Sequence, residues 1–339
     1  MTAATAETVP PAATNTPALE IRDLVVRYGS GRKAKRATPA IDGVSFDIAP
    51  GETVGLVGES GSGKSTIGKA VLGLQPPTAG TVSLHGKDIT QMSLKQRRTM
   101  AADLRVVFQD PYSSLNPSRT IGQTLVEPLR LMGIGSADAM KRARQGLESV
   151  GLPAEAIDRY PSQFSGGQRQ RIAIARALVC DPKVVVLDEP VSALDLSTQA
   201  TVLNLLADLR DQMGLAFLFI AHDLGVVRFL AQRTVVLYRG QIMESGPVES
   251  VNSQSRHPYT VALTAAAPVP RPAEQAARRA AREALGVGTA GAAKPSPVGC
   301  PFVPRCPLAT EICSVERPPL RLVDGNLTAC HHAEQVPAL

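Results

Sequence analysis

Apolar and polar positions follow two rhythms along the chain, and each rhythm predicts a different kind of strand. Three stretches alternate as half-buried strands do: LEIRDLVVRY (19–28), AIDGVSFDI (40–48) and TVSLHG (81–86). Three others are short, continuous apolar runs: VGLVG (54–58), VVVLD (184–188) and LAFLFIA (215–221). Continuous runs are typical of parallel strands buried on both faces. We therefore predict an antiparallel sheet near the N-terminus and a mostly parallel sheet after it.

Helical periodicity appears between the apolar runs. In QRQRIAIARALV (168–179), the apolar positions 172, 175, 178 and 179 share one face, and Arg169 and Arg176 point elsewhere. The order of strand, glycine-rich loop, helix and further buried strands predicts an α/β fold.

Length and composition limit the function classes. The 339 residues are 44% apolar, which suffices for one large or two modest domains, and no apolar run is long enough to span a bilayer. The net charge of +6 is scattered, and the chain has seven Phe, five Tyr and no Trp, so we expect no nucleic-acid partner. Residues 1–17 carry no basic residue and no apolar core, so we expect a disordered tail and a cytoplasmic chain.

The strongest motif, Gly58 to Ser65, fits the pattern G-x-x-x-x-G-K-[ST] of a phosphate-binding loop. A bare glycine-rich turn would need neither the lysine nor the hydroxyl at these positions. Lys64 is expected to reach the β- and γ-phosphates of a nucleotide, and the Ser65 hydroxyl to bind Mg²⁺. The predicted ATP-binding residues are Tyr28, Gly58, Ser60, Gly61, Gly63, Lys64, Ser65 and Thr66.

Two acids follow the buried run VVVL (184–187). Asp188 is expected to hold Mg²⁺, and Glu189 to orient and deprotonate the attacking water. The alternative is a strand that ends in a solvated acidic pair. The preceding apolar run and the following proline favour a position at the carboxyl edge of the sheet, where ligands of α/β proteins bind.

A second glycine cluster, Ser165-Gly166-Gly167-Gln168, opens the helix described above. It therefore predicts another anion-binding helix N-terminus. Two phosphate-binding ends in one chain favour a nucleotide that is shared between two chains.

Together these motifs resemble the ATP-binding cassette (ABC) ATPases over roughly residues 18–250. The resemblance adds Gln109 in VVFQDP, FSGGQ (164–168), Asp195 in SALD and His222 in IAHD, all in the family's order. Phe164 stands where the family usually has Leu. The resemblance implies a P-loop core with an inserted helical subdomain at about 100–175.

The resemblance also implies roles for these residues in a head-to-tail dimer, with each ATP between the phosphate loop of one chain and Ser165–Gln168 of the other. Gln109 would sense the γ-phosphate or Mg²⁺, and His222 would contact the γ-phosphate. Asp195 would brace the dimer contact, and Tyr28 would stack on adenine, although an ordinary strand tyrosine fits position 28 nearly as well. No within-chain element of hydrolysis is missing.

Three flanking stretches resemble the oligopeptide, dipeptide and nickel importer branch: DPYSSLNPSRTIGQTL (110–125), VSALDLSTQATVLNLL (191–206) and HPYTVAL (257–263). The first of them resembles in particular the second of the two ATPases in such importers. This implies an importer ATPase at the cytoplasmic face of the membrane. Its partners would be a second ATPase, identical or paralogous, two membrane permease subunits and, indirectly, an extracytoplasmic binding protein. The cargo stays open, and residues 251–339 would form a C-terminal extension.

Within the extension, residues 271–297 predict a short basic helix followed by a linker. Four cysteines follow: Cys300, Cys306, Cys313 and Cys330. Their spacing lacks a zinc knuckle, and disulfides are not expected in the cytoplasm. Four thiolates suit a [4Fe–4S] cluster, and this region resembles that of importer ATPases that carry one. Reduced cysteines in a small cap, or zinc bound with His331 or His332, remain alternatives.

Other classes of ATPase fit less well. Cassettes that act in translation normally occur in tandem, whereas this chain has one phosphate loop and one FSGGQ. Chromosomal ATPases insert a long coiled coil between these motifs, and no sustained heptads occur here. A binding module without catalysis would not need both Glu189 and His222.

Overall fold

The computed structural model describes residues 16–29, 37–100, 102–110, 114–266 and 298–336 of the chain. The disordered tail predicted for 1–17 falls almost wholly outside these ranges, and the helix and linker predicted at 271–297 fall fully outside them. In the described part the strands are β1 (Leu19–Val26), β2 (Ile41–Ile48), β3 (Thr53–Val57), β4 (Ala79–Leu84), β5 (Lys87–Asp88), β6 (Leu104–Val107), β7 (Val184–Asp188), β8 (Ala216–Ala221), β9 (Arg233–Tyr238), β10 (Gln241–Pro247), β11 (Arg321–Val323) and β12 (Asn326–Thr328).

The N-terminal strands form an antiparallel sheet in the order β2-β1-β4-β5, as predicted. The alternation in β1 is interrupted by a register shift between Ile21 and Leu24, where Asp23 has a φ of 46°. The third predicted strand ends at Leu84, because His85 and Gly86 both have positive φ and turn the chain back into β5. The predicted antiparallel layer is therefore confirmed.

The second sheet has the order β11-β12-β10-β9-β3-β8-β7-β6. Strands β9, β3, β8, β7 and β6 pair in parallel, and β10, β12 and β11 continue the sheet antiparallel. Every residue of β3 and β8 is buried, as the continuous apolar runs predicted. The mostly parallel core is confirmed, and the sheet extends further than expected.

The helices lie around the main sheet and between its strands in sequence. They are α1 (Lys64–Val71), α2 (Leu94–Thr99), α3 (Ile121–Leu131), α4 (Ser136–Ser149), α5 (Gly166–Leu178), α6 (Leu196–Met213), α7 (Leu224–Leu230), α8 (Val248–Ser253), α9 (Pro258–Ala266) and α10 (Glu311–Val315). Short 3-10 turns span Ala154–Asp158, Pro161–Gln163, Val303–Arg305 and Ala333–Gln335. No helix in the described ranges is both long enough and apolar enough to cross a membrane.

Helix α5 is buried on more sides than its sequence indicated. Ala173, Ile174 and Ala177, off the predicted apolar face, are as buried as Ile172. The reason is that α5 packs against β6, α3, α4 and α6 together. Even Arg176, predicted to point away, is buried enough for desolvation to lower its pKa.

The described parts of the C-terminal extension, residues 251–266 and 298–336, pack against the main sheet and its helices. Strand β12 pairs with β10, and Tyr259 and Phe302 are fully buried in the same apolar core as α3 to α6. The buried Glu244 carboxylate of β10 accepts hydrogen bonds from the backbone N–H of Arg256 at 2.7 Å and from Asn326 Nδ2 at 3.0 Å. These contacts anchor the extension to the sheet.

Candidate functional site

Two glycines of the phosphate loop meet requirements of this fold. Gly58 has a φ of 155°, and a Cβ there would stand 2.1 Å from the carbonyl oxygen of Leu237. Gly63 has a φ of 109°, and its Cβ would stand 2.5 Å from Ile41 Cδ1. Both positions exclude a side chain because of neighbouring protein atoms, in addition to the close approach to phosphate that the sequence predicted.

Lys64 begins α1 directly after this loop. Gly63 precedes it in the left-handed conformation and offers no side chain to cap the helix, so the first N–H groups of α1 can face an anion. Lys64 is 5% exposed, and its ammonium donates to the carbonyl oxygens of Gly58 at 2.7 Å and Glu59 at 3.1 Å. Burial lowers its pKa, and the nearby Glu189 and Asp188 carboxylates oppose that shift.

Ser65 and Asp188 meet at the end of β7. The Ser65 hydroxyl donates to Asp188 Oδ1 at 3.3 Å, and burial raises the pKa of this carboxyl. A hydroxyl and a carboxylate oxygen in contact are the kind of donor set that Mg²⁺ prefers, so these residues fit the metal that the sequence predicted.

Glu189 is the meeting point of three chain segments. Gln109 Nε2 donates to Glu189 Oε2 at 3.1 Å, and His222 Nδ1 lies 3.3 Å from the same oxygen. The Glu189 backbone N–H donates to the carbonyl of Ile220, which fixes Glu189 to the strand that carries His222. Its φ of 48° is strained for a non-glycine residue, and such strain clusters at functional sites. The three residues predicted to act in hydrolysis are thus brought together.

Tyr28 contacts the first turn of α1. Its hydroxyl is 3.0 Å from Thr66 Oγ1, and the residue is 48% exposed. An exposed ring at the edge of the phosphate loop has the access that base stacking requires.

The second glycine cluster is built differently from the first. Ser165 caps α5 by accepting from the Gln168 N–H at 3.3 Å, and Gln168 Oε1 accepts from the Ser165 N–H at 3.0 Å. This reciprocal pair is a capping box. A Cβ at Gly167 would stand 2.4 Å from Thr198 Cγ2, so glycine allows α5 to pack against α6. Ser165 and Gln168 are both exposed.

Asp195, predicted as a dimer contact, caps α6 within its own chain. It accepts hydrogen bonds from Ser197 Oγ at 2.6 Å, Thr198 N at 3.0 Å and Thr198 Oγ1 at 2.8 Å. These donors lower the pKa of the carboxyl. The next residue, Leu196, is 83% exposed, which is unusual for a leucine.

The four cysteines of the extension lie within electrostatic range of one another. Burial raises the pKa of Cys300, that of Cys306 to about 12 and that of Cys330 to about 11, so their thiols are neutral at pH 7. Among the residues that the structure describes, no three His, Cys, Asp or Glu side chains are arranged to hold a metal ion. The donor chemistry fits a thiolate-ligated cluster, and the arrangement of the side chains does not.

Residues of the extension that the sequence did not single out also reach the phosphate loop. The Tyr259 hydroxyl accepts from the Glu59 N–H at 2.8 Å, and Arg305 pairs with the Glu59 carboxylate at 2.8 and 2.9 Å. No periodicity or motif signals contacts between residues so far apart in the sequence.

The chain is similar to known proteins along most of its length. Residues 41–192 match the ABC transporter family, and residues 243–313 match the oligopeptide/dipeptide transporter C-terminal region. A Brucella ovis protein named for peptide import and ATP binding is 48% identical over 94% of this chain and 98% of its own. The di/tripeptide transport ATP-binding protein DppF of Pseudomonas aeruginosa is 43% identical, with the same two shares covered.

Solved structures agree with this assignment. CbiO1 of Clostridium perfringens, part of the ABC transporter complex cbiONQ, has a TM-score of 0.63 and 27% identity, covering 70% of this chain and 90% of that one. The ATP-binding cassette MJ0796, a dimer bound to ADP and phosphate, has a TM-score of 0.60 and 29% identity, covering 68% and 98%. The chain belongs to the ATP-binding subunits of ABC transporters, within the group that carries the oligopeptide/dipeptide transporter C-terminal region.

Proposed function

We propose that the protein is the ATPase subunit that energises an ABC importer for peptides or related small solutes. The convergence on Glu189 carries this proposal, since Gln109 and His222 hold its carboxylate beside the Ser65–Asp188 pair. A protein that only bound nucleotide would not need a strained acid fixed by two further polar side chains.

The residues act on ATP by position and charge. Lys64 keeps its hydrogen bonds to the two loop carbonyls and directs its remaining N–H towards the β- and γ-phosphates, and the first N–H groups of α1 cradle them. Ser65, Asp188 and Gln109 would hold Mg²⁺, which would neutralise phosphate charge. Glu189 orients the attacking water and accepts its proton, while Gln109 and His222 fix the carboxylate. His222 also reaches the γ-phosphate.

The second half of each ATP site comes from another chain. Ser165 and Gln168 are exposed at the start of α5, and the exposed Leu196 lies beside Asp195. These surfaces support a head-to-tail dimer with a paralogue or a second copy, in which Ser165 to Gln168 contact the ATP of the partner. ATP binding would close this dimer, and hydrolysis would reopen it.

A groove on the helical region supports contact with the permease subunits. It has a volume of about 1030 Å³, and it is lined by the charged side chains of Arg119, Glu127 and Arg130 and by the apolar Leu131 and Met140. Leu131 is 85% exposed. A groove with an apolar rim and charges of both signs suits a cytoplasmic helix of a membrane protein. The chain would then lie at the cytoplasmic face of the membrane, without contacting nucleic acid.

The two relatives named for peptide transport support peptides as the cargo class, delivered by an extracytoplasmic binding protein. For the domain organisation we propose a nucleotide-binding domain at 18–250, with a helical subdomain near 100–175, and the extension at 251–339.

For the extension we propose that Cys300, Cys306, Cys313 and Cys330 ligate a [4Fe–4S] cluster, with zinc as the alternative. Their number and thiol chemistry support the site. An anaerobic preparation should absorb in the visible range, and the variant with Cys300→Ser and Cys306→Ser should lose that absorbance. An unchanged spectrum, or stoichiometric zinc in its place, would refute the cluster.

Purification of the tagged chain from detergent-solubilised membranes tests the transport function. Two multi-span permeases and a second ATPase should co-purify. Leu131→Asp should lose the permeases and keep ATP binding, whereas Leu322→Asp, at a 71% exposed leucine of β11, should keep both. Ribosomal or chromosomal partners without a membrane protein would overturn the importer and leave the ATPase standing.

A further inference from the structure

Glu59 of the phosphate loop is held through three different groups. Its N–H donates to the Tyr259 hydroxyl at 2.8 Å, and its carbonyl accepts from Lys64 Nζ at 3.1 Å. Its carboxylate accepts two hydrogen bonds from Arg305, at 2.8 and 2.9 Å. Tyr259 and Arg305 belong to the extension, 200 and 246 positions along the chain from Glu59. The loop that precedes Lys64 is therefore tied to the far end of the protein.

Buried aromatic rings fix both contacts in place. The Tyr259 ring lies 4.6 Å from that of Tyr238, at the end of β9, and 5.4 Å from that of Phe302. The Arg305 guanidinium lies 5.4 Å from the centre of the Phe302 ring. Because the planar guanidinium is held against a ring before it meets Glu59, little side-chain freedom is lost in forming the bidentate pair.

The position of Lys64 depends on this arrangement. The ammonium is held by the carbonyls of Gly58 and Glu59. Gly58 lies against β9, since a Cβ there would stand 2.1 Å from the carbonyl oxygen of Leu237. Glu59 is the side of the Lys64 cradle that the extension holds, through both its N–H and its carboxylate.

We propose that Tyr259 and Arg305 are positioning residues for ATP binding: they fix Glu59 and, through its carbonyl, Lys64, so that the extension sets the affinity of the phosphate loop for ATP. This inference rests on the ATP-binding function proposed above. Both residues act through Glu59, so they should affect binding of ATP more than the hydrolytic step.

Steady-state kinetics of the full chain tests the proposal. Arg305→Gln is expected to raise KM for ATP about three- to tenfold while kcat changes less than about twofold, as fits the loss of one charge-assisted bidentate contact. Arg305→Lys should recover part of the affinity, since it keeps the charge without the bidentate geometry. Tyr259→Phe should raise KM by a smaller factor, with the ring packing retained.

A double-mutant cycle separates direct coupling from general damage. Glu59→Gln alone should match Arg305→Gln, and the double variant should be no worse than either single one. The matched control is Arg317→Gln, because Arg317 forms another ion pair between the extension and the ATPase core, with Asp42 of β2. We expect this control to leave KM unchanged.

Three outcomes would overturn the inference: additive effects of Glu59→Gln and Arg305→Gln, an equal rise in KM with Arg317→Gln, or a fall in kcat without a change in KM. A failure of the proposed ATP site looks different, because ATP affinity would then survive Lys64→Ala. Binding of a fluorescent ATP analogue to each variant distinguishes the two cases.

Discussion

Helices α1 and α5 both begin at a glycine cluster, yet the two helix starts are constructed in opposite ways. Gly63 precedes α1 in a left-handed conformation without any side-chain cap. Ser165 precedes α5 in an extended conformation and closes a capping box with Gln168. The start of α1 leaves its N–H groups for a ligand, whereas the start of α5 already satisfies some of its own.

The surroundings of the two helix starts also differ. The start of α1 is enclosed by its own chain, with Lys64 buried and Ser65 in contact with Asp188. Ser165 and Gln168 are exposed. A helix start that is exposed and capped by its own side chains is stable without nucleotide, and it remains accessible to a nucleotide. This contrast supports the proposal that α1 binds ATP in its own chain and that α5 contacts the ATP of another chain.

The largest effect should come from a change that spares both helix starts. Glu189→Gln removes the carboxylate that accepts the proton, so turnover should fall by about a thousandfold while ATP binding persists. Gel filtration with ATP should then show a trapped dimer. ATP hydrolysis at the parental rate would refute the catalytic assignment of Glu189.

The second largest effect on turnover should come from blocking the exposed start of α5. Ser165→Arg places a long side chain at the exposed helix start, and turnover should fall roughly a hundredfold, as for loss of anion-stabilising donors. The affinity of the isolated chain for an ATP analogue should not change. Ser162→Arg, three residues earlier and also exposed, is the control. Weaker binding of the ATP analogue to the isolated chain would contradict the contrast between α1 and α5, because it would place the start of α5 in the ATP site of its own chain.

A change at the start of α1 should have the opposite effect, because it should weaken ATP binding by the isolated chain. Lys64→Ala removes the buried ammonium, and ATP analogue binding to the isolated chain should weaken about 10- to 30-fold. Lys69→Ala, at an exposed position in the last turn of the same helix, should bind normally. Equilibrium fluorescence titration measures both. Equal affinities for the two variants would remove Lys64 from the site.

The smallest effect should come from the N-cap of α6, the helix that packs against the start of α5. Asp195→Ala removes the cap of α6, whose Thr198 packs against Gly167, so Tm should fall by a few degrees. Asp195→Asn keeps a capping side chain and should restore Tm. If both variants unfold like the parent and both lose ATP-dependent dimerisation, Asp195 acts across the dimer and contributes little to α6.

The sequence predicted those features whose cause is local. Alternation identified β1 and β2, and continuous apolar runs identified β3, β7 and β8. The motif of the phosphate loop could be recognised because its glycines, lysine and hydroxyl must stand at fixed distances along one turn. Glu189 and His222 could be placed together because adjacent parallel strands end at the same edge.

Features that depend on distant packing could not be predicted. Helix α5 reads as one-sided, but four elements surround it. The strands β11 and β12 are three residues each, too short to show alternation. They are recognised only because β12 pairs with β10 and β11 pairs with β12. The Glu59 contacts join segments some 200 residues apart, and no local pattern reports which ends of a chain will meet.

The attachment of the extension depends on pH, because the buried carboxyl of Glu244 binds a proton more tightly in the folded chain than in the unfolded chain. Burial outweighs the hydrogen bonds from Arg256, His257, Thr260 and Asn326 and raises its pKa from 4.5 to about 7. Between these values the folded chain holds a proton that the unfolded chain has lost. The stabilisation is complete below pH 4.5 and is lost as pH rises through 7. The joint between ATPase core and extension is therefore least stabilised above neutrality, after Glu244 has lost this proton, and small changes in pH alter its protonation most near pH 7.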